Sequence, residues 1–85
     1  MCGIIGINSN KPVSVSIINS LKKLEYRGYD SAGIATLSNG LINEVKSEGR
    51  VDKLEKNSMV QNMEGSIGIG HVRWATHGLP NSINA

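Results

Sequence analysis

The sequence is poor in the residues that build aromatic cores or disulfide frameworks: its 85 residues include no Phe, one Trp, two Tyr and one Cys. A single cysteine excludes an internal disulfide, and with it the small secreted domains that depend on several such bonds. Because aromatic side chains are so few, the core has to be built mainly from Ile, Leu, Val and Ala. No apolar run approaches the roughly 18 residues that a membrane-spanning helix needs.

The charge and glycine patterns argue against nucleic-acid binding, membrane-surface binding and dinucleotide binding. Nine Lys and Arg and seven Asp and Glu are dispersed, with a net charge of +2, so no basic stripe for nucleic acid or a membrane surface is present. The N-terminus lacks a signal-peptide pattern, which makes the cytoplasm the expected location. The sequence predicts no cofactor and no metal, because the glycines at 65–70 do not match a dinucleotide fingerprint and Cys2, His71 and His77 lack zinc-ligand spacing.

The order of the predicted elements favours an α+β fold in one domain, residues 1–85. They are a strand at 2–7, a helix at 13–25, strands at 32–37 and 41–46 around a Ser38-Asn39-Gly40 turn, a helix at 50–62, and a buried strand at 66–72. The first helix has the clearest signal, since four apolar residues recur at three- and four-residue steps: Ile17, Ile18, Leu21 and Leu24. The second helix rests on weaker spacing through Val51, Leu54 and Ser58.

The first candidate for chemistry is Cys2, directly after the initiator methionine. Removal of Met1 would leave a thiol and a free α-amine on one residue. Such an amine is partly neutral near physiological pH and can act as the base for its own side chain, as in N-terminal nucleophile enzymes. The alternative is that Cys2 is a small buried residue at the start of a strand.

Two further segments concentrate polar chemistry. At 70–78, Arg73 could hold a carboxylate through its planar fork, and Trp74 is the sole indole. The alternative there is an Arg paired with a surface acid and a Trp packed in the core. At 25–33, charges and hydroxyls are dense, although a helix end followed by a capped turn would give the same pattern.

The three segments together carry a family resemblance. Residues 1–6 (MCGIIG), 24–35 (LEYRGYDSAGIA) and 70–78 (GHVRWATHG) occur in this order and resemble the glutaminase domain of the class II glutamine amidotransferases. The wording of the last two segments is similar to the branch that uses fructose 6-phosphate as ammonia acceptor. The purine-pathway amidophosphoribosyltransferases share the Cys-Gly-Ile start but differ around Trp74 and His77.

The resemblance implies a fold and a reaction. The fold is the N-terminal portion of the four-layer αββα sandwich of N-terminal nucleophile hydrolases. Cys2 would attack the side-chain amide of glutamine, form a γ-glutamyl thioester and release ammonia, after which water would free glutamate.

The resemblance also implies roles for individual residues. Arg73 would grip the α-carboxylate of glutamine, and Thr76 and His77 would lie in the loop that closes over it. Trp74 would gate the ammonia path. Two residues would line the surroundings of the nucleophile: Arg27 and Gly28.

Family members continue beyond the segment that matches this chain. The oxyanion-hole donors, the acidic residue for the α-amine and the isomerase domains lie in that continuation. We therefore expect the chain to be a truncated part of a longer enzyme, itself a homo-oligomer, and inactive alone. The alternatives are a non-catalytic binding module or the glutaminase segment of another amidotransferase.

Overall fold

The computed structural model describes residues 2–75, 78–79 and 81–85. Within them, helices pack on one face of an antiparallel sheet whose strand order is β1-β4-β2-β3. The elements are β1 (Gly3–Asn8), α1 (Ser14–Leu24), a 3-10 turn (Glu25–Arg27), β2 (Ser31–Ser38), β3 (Leu41–Glu48), α2 (Val51–Glu55), α3 (Ser58–Gln61) and β4 (Ile67–Arg73). The α+β prediction is confirmed. None of the helices in the described ranges is long and apolar enough to cross a bilayer.

Helix α1 is the main cover of the sheet. Its apolar stripe, which the periodicity predicts, is buried at Ile17, Ile18 and Leu21. It packs on two glycines of β4, where a Cβ on Gly70 would lie 2.6 Å from Ile17 Cγ2 and one on Gly68 would lie 2.9 Å from Ile17 Cδ1. The glycines therefore set how closely the helix approaches the sheet.

The predicted hairpin forms around its Asn-Gly pair. Asn39 and Gly40 have φ values of 53° and 76°, the left-handed conformations that a two-residue type I′ turn requires. The turn sets the register of β2 on β3, from Ser38 opposite Leu41 to Ser31 opposite Glu48.

The single helix predicted at 50–62 is wrong, because this segment forms two short helices, α2 and α3. The break lies at Asn57, whose side-chain oxygen accepts the N–H of Met59 at 2.8 Å and so caps a new helix. Val60, the third residue of α3, is buried, whereas Ser58 is exposed. A capping residue in the middle of the segment outweighs its weak helical spacing.

The prediction that β4 is a buried strand is also wrong in part, since its burial alternates. Gly68, Gly70 and Val72 face the helices, while Ile67 and Ile69 face away and are 44% and 64% exposed. We call the uncovered side of the sheet the open face. Its exposed apolar residues are Ile4, Leu37, Ile42, Ile67 and Ile69.

Candidate active site

Cys2 lies at the start of β1, beside the end of β4. Gly3 pairs with Val72, so the antiparallel register brings Cys2 next to the residues that follow Val72. The backbone N–H of Trp74 donates to Cys2 Sγ at 3.4 Å, and the sulfur lies 3.8 Å from the Trp74 carbonyl oxygen. Cys2 is exposed, so the buried-strand alternative is wrong and the sulfur can be reached by a substrate. Met1 lies outside the described residues.

The Arg27-Gly28 pair lies against the same point. Arg27 Nε donates to the carbonyl oxygen of Cys2 at 2.9 Å and joins Cys2 to the 3-10 turn that follows α1. A Cβ on Gly28 would lie 2.6 Å from the Arg73 carbonyl carbon and 2.7 Å from the Trp74 nitrogen. Only glycine lets the two segments approach this closely, so Gly28 lies against the Arg73–Trp74 backbone that contacts the Cys2 sulfur.

Arg73 ends β4 and its guanidinium reaches the loop that follows. It donates to the carbonyl oxygens of Gly78 at 3.3 Å and Leu79 at 3.1 Å. These contacts join the Arg73 side chain to the backbone of Gly78 and Leu79. The predicted loop residues Thr76 and His77 lie outside the described residues.

Trp74 does not belong to the core, so that alternative is wrong as well. The residue is 42% exposed, and its ring meets the edge of the Tyr29 ring with centroids 5.4 Å apart and planes at 85°. Edge-to-face contact is a favoured arrangement for two aromatic rings. The indole is therefore held at the surface against Tyr29, while the Trp74 backbone contacts the sulfur.

Asp30 stands in the 24–35 motif but is not among the predicted site residues. Its carboxylate Oδ2 accepts the N–H of Ala75 at 2.6 Å, and its own N–H donates to the Arg73 carbonyl at 3.1 Å. Its carbonyl accepts the N–H of Gly49 at 2.8 Å. Asp30 thus fixes the backbone on both sides of Trp74, and the segment at 25–33 does more than end a helix. In the sequence, only the position of Asp30 next to Tyr29 in this segment points to a role for it.

His71, on the open face, has a shifted pKa. Burial, then the nearby Lys46 charge, lowers the pKa of His71 below its usual 6.5, with Arg73 acting in the same direction and Glu44 opposing. The ring packs against Gly33, where a Cβ would lie 2.6 Å from Nε2. Over the described part of the chain, no three His, Cys, Asp or Glu side chains form a group that could hold a metal ion.

Comparison with known proteins gives the chain relatives over its full length. No family model matches it. It is 52% identical over all 85 residues to glutamine–fructose-6-phosphate aminotransferase (isomerizing) of Agrobacterium fabrum, and 55% identical to the enzyme of that name from Brucella abortus. Over its whole length the chain is similar to class II glutamine amidotransferases. It spans about 14% of the length of each of these two amidotransferases.

Solved amidotransferase structures agree with the fold. The glutamine phosphoribosylpyrophosphate amidotransferase of B. subtilis, solved with ADP and GMP, superposes with a TM-score of 0.79. The match covers 91% of this chain and 17% of that one at 26% sequence identity. A second structure, described as the allosteric regulatory enzyme of purine biosynthesis, gives the same score over 89% of this chain and 16% of that one. The layer of helices on an antiparallel sheet is thus the N-terminal portion of the amidotransferase sandwich.

Proposed function

We propose that this chain carries the nucleophile of a glutaminase site and works within a longer parent protein that aminates fructose 6-phosphate. The observation that carries the proposal is the exposed Cys2 sulfur, in contact with the Arg73–Trp74 segment at 3.4 Å. Identity above 50% to two glutamine–fructose-6-phosphate aminotransferases supports this acceptor. The parent acts in the cytoplasm, as a homo-oligomer, and makes amino sugar without a cofactor.

The chemistry starts with the removal of Met1, which turns the Cys2 nitrogen into a free α-amine. That amine takes the thiol proton, and the sulfur attacks the side-chain carbonyl carbon of glutamine. The tetrahedral intermediate collapses to a γ-glutamyl thioester and expels ammonia, with the α-amine returning the proton to the leaving group. Water then hydrolyses the thioester to glutamate and regenerates the thiol.

Substrate binding falls to the end of β4 and its loop. The Arg73 guanidinium, which now donates to two carbonyl oxygens, would also bind the α-carboxylate of glutamine, because a charged acceptor makes stronger hydrogen bonds than a neutral carbonyl. Thr76 and His77 complete the closing loop. Trp74, held beside the sulfur, gates the path of ammonia to the acceptor. Arg27 holds the Cys2 backbone in place for the attack.

The 85 residues are one part of the machinery. We assign the oxyanion-hole donors, the acidic residue for the substrate amine and the sugar-phosphate site to the parent protein outside this chain. Loss of one oxyanion donor typically lowers the rate by about 10²–10³-fold. The isolated chain is therefore expected to be inactive, and the tests below use the parent protein.

The test is substitution of the nucleophile in the parent protein. Cys2→Ala abolishes glutamine hydrolysis, and 6-diazo-5-oxo-norleucine labels Cys2 of the wild type but not of the variant. Intact mass shows that Met1 has been removed. Cys2→Ala lies at an exposed position, so its thermal midpoint matches the wild type. Unchanged turnover in Cys2→Ala, or a retained Met1 in active protein, would overturn the proposed mechanism.

A second candidate is a glutaminase that serves phosphoribosylpyrophosphate, which the structural neighbours favour. Their 26% identity is about half that of the two aminotransferases. Assaying the parent protein with glutamine and either acceptor separates the two: amino sugar formation supports the first candidate, and phosphoribosylamine formation the second. A parent protein that binds glutamine without releasing glutamate would instead be a non-catalytic module.

A further inference from the structure

A line of contacts runs from the end of α1 to the nucleophile through a residue that no motif singled out. Its members are Glu25, Arg50, Tyr29, Trp74 and Cys2. The first two are separated from each other by more than twenty residues in the sequence. The sequence around Arg50 gives no reason to connect it with the site.

Glu25 forms the fixed end of this line. Its carboxylate is 16% exposed, and Oε2 accepts the backbone N–H of Val51 at 3.0 Å. The same oxygen lies 3.4 Å from Arg50 Nε. Because one carboxylate binds both the backbone and the side chain of consecutive residues, the Arg50 guanidinium is oriented even though its side chain is 61% exposed.

Arg50 in turn lies over the Tyr29 ring. Its Cζ is 5.5 Å from the ring centroid, inside the range of a cation–π interaction. The edge of that ring contacts the Trp74 indole at 5.4 Å between centroids. Arg50 therefore restrains the Tyr29 ring, which packs against Trp74 edge to face.

We propose that Arg50 is a positioning residue for the Trp74 gate and acts through Tyr29, with Glu25 fixing its guanidinium. This proposal rests on the proposed function, because it presupposes that Trp74 gates the path of ammonia. Loss of the cation frees the Tyr29 ring and loosens the indole, while the Cys2 sulfur and the Arg73 guanidinium stay in place. Ammonia then escapes before it reaches the acceptor, although glutamine is still hydrolysed.

The experiment measures coupling in the parent protein, defined as amino sugar formed per glutamate released. Arg50→Gln lowers this ratio about two- to fivefold, the range that corresponds to an exposed cation–π contact, while glutamate release changes less than about twofold. Arg50→Lys keeps a cation over the ring and restores part of the ratio. Glu25→Gln keeps an oxygen for the Val51 N–H but loses the ion pair, and so lowers the ratio in the same direction.

Two controls separate positioning from a general loss of structure. Lys56→Gln removes the same charge from an exposed position at the end of α2 and leaves the ratio unchanged. In a Tyr29→Ala background, Arg50→Gln has no further effect, because the ring that connects it to the gate is gone. Tyr29→Phe keeps the ring and the coupling.

Two results would overturn the inference while the proposed function stands. They are an unchanged ratio in Arg50→Gln, which includes an equal fall in both rates, and a full Arg50→Gln effect without the Tyr29 ring. A wild-type parent that releases no glutamate would instead overturn the proposed function, and the inference with it.

Discussion

The two faces of the sheet have similar apolar residues but opposite surroundings. On the helix face, Ile34 and Val72 are 2% and 0% exposed, and glycines on β4 make room for α1. On the open face, Ile4 and Ile69 are 83% and 64% exposed. Strand β4 thus turns its glycines towards the helices and its isoleucines towards the open face, where no described helix or strand packs on them.

The exposed apolar residues of the open face form a patch that spans four strands. Isolated exposed apolar residues are ordinary, whereas a continuous patch across several strands is a feature of surfaces that become covered. In the four-layer sandwich of the amidotransferase family, we expect the second sheet to pack here. Helix α1 covers the helix face within the described residues, and we expect the open face to be covered in the parent protein.

The largest expected effect is a loss of stability that tests whether a second sheet covers the open face. In the parent protein, Ile69→Ala should lower the free energy of unfolding of the glutaminase domain by about 2–5 kcal/mol, because it empties a buried site between two sheets. The matched control is Val15→Ala on the outer side of α1, since Val15 is 69% exposed in this chain, close to the 64% of Ile69. Its cost should stay within about 0.5 kcal/mol. Urea denaturation measures both, and equal costs would mean that nothing packs on the open face.

The next effect tests the helix face. Gly70→Ala places a methyl group 2.6 Å from Ile17 Cγ2 and 3.1 Å from Leu21 Cδ1, so α1 has to move outwards. We expect a loss of about 1–3 kcal/mol in the free energy of unfolding, the range for overpacked cores.

Gly3→Ala on β1 serves as the graded control for Gly70→Ala. Its new methyl group meets Leu24 Cβ and Val72 Cγ2 at 3.3 Å, a milder contact. The loss should therefore be smaller than for Gly70→Ala. The reverse order would show that distance to α1 does not set the tolerance of this face.

The elements that the sequence predicts well are those whose signals are local. Helix α1 follows from the spacing of its apolar stripe, and the hairpin follows from Asn39-Gly40, whose positive φ values need no distant partner. The segment at 50–62 fails because the Asn57 cap competes with a weak periodicity. The orientation of β4 could not be predicted, since an alternation of Gly and Ile shows that two faces differ but not which face α1 covers.

The residues of the candidate site likewise divide into those that local motifs identify and those that long-range contacts fix. Cys2, Arg73 and Trp74 could be selected from their motifs, and the pairing of β1 with β4 explains why they meet. Asp30 is fixed by bonds to backbone groups more than forty residues away, and Arg50 by a carboxylate at the end of another helix. Such contacts form only in the folded chain between residues far apart in the sequence, so no local sequence pattern predicts them.

The smallest expected effect concerns pH and His71, the histidine of the open face. Burial and then the Lys46 charge lower its pKa below 6.5, so the unfolded chain takes up a proton at a pH where the native chain still resists it. His71 should therefore cost no stability above about pH 7 and an increasing amount as pH falls below 6.5 towards the native pKa.

His71→Gln removes this dependence while keeping a polar side chain of similar reach. The stability of the wild type relative to the variant should fall between pH 7.5 and pH 5.5, as followed by thermal midpoints of the parent protein. A second sheet on the open face would bury the ring further and steepen that fall, because added burial again favours the neutral form. A constant difference would mean that the pKa of His71 is not lowered in the parent protein. An opposite difference would mean that the ring is charged there and paired with a carboxylate.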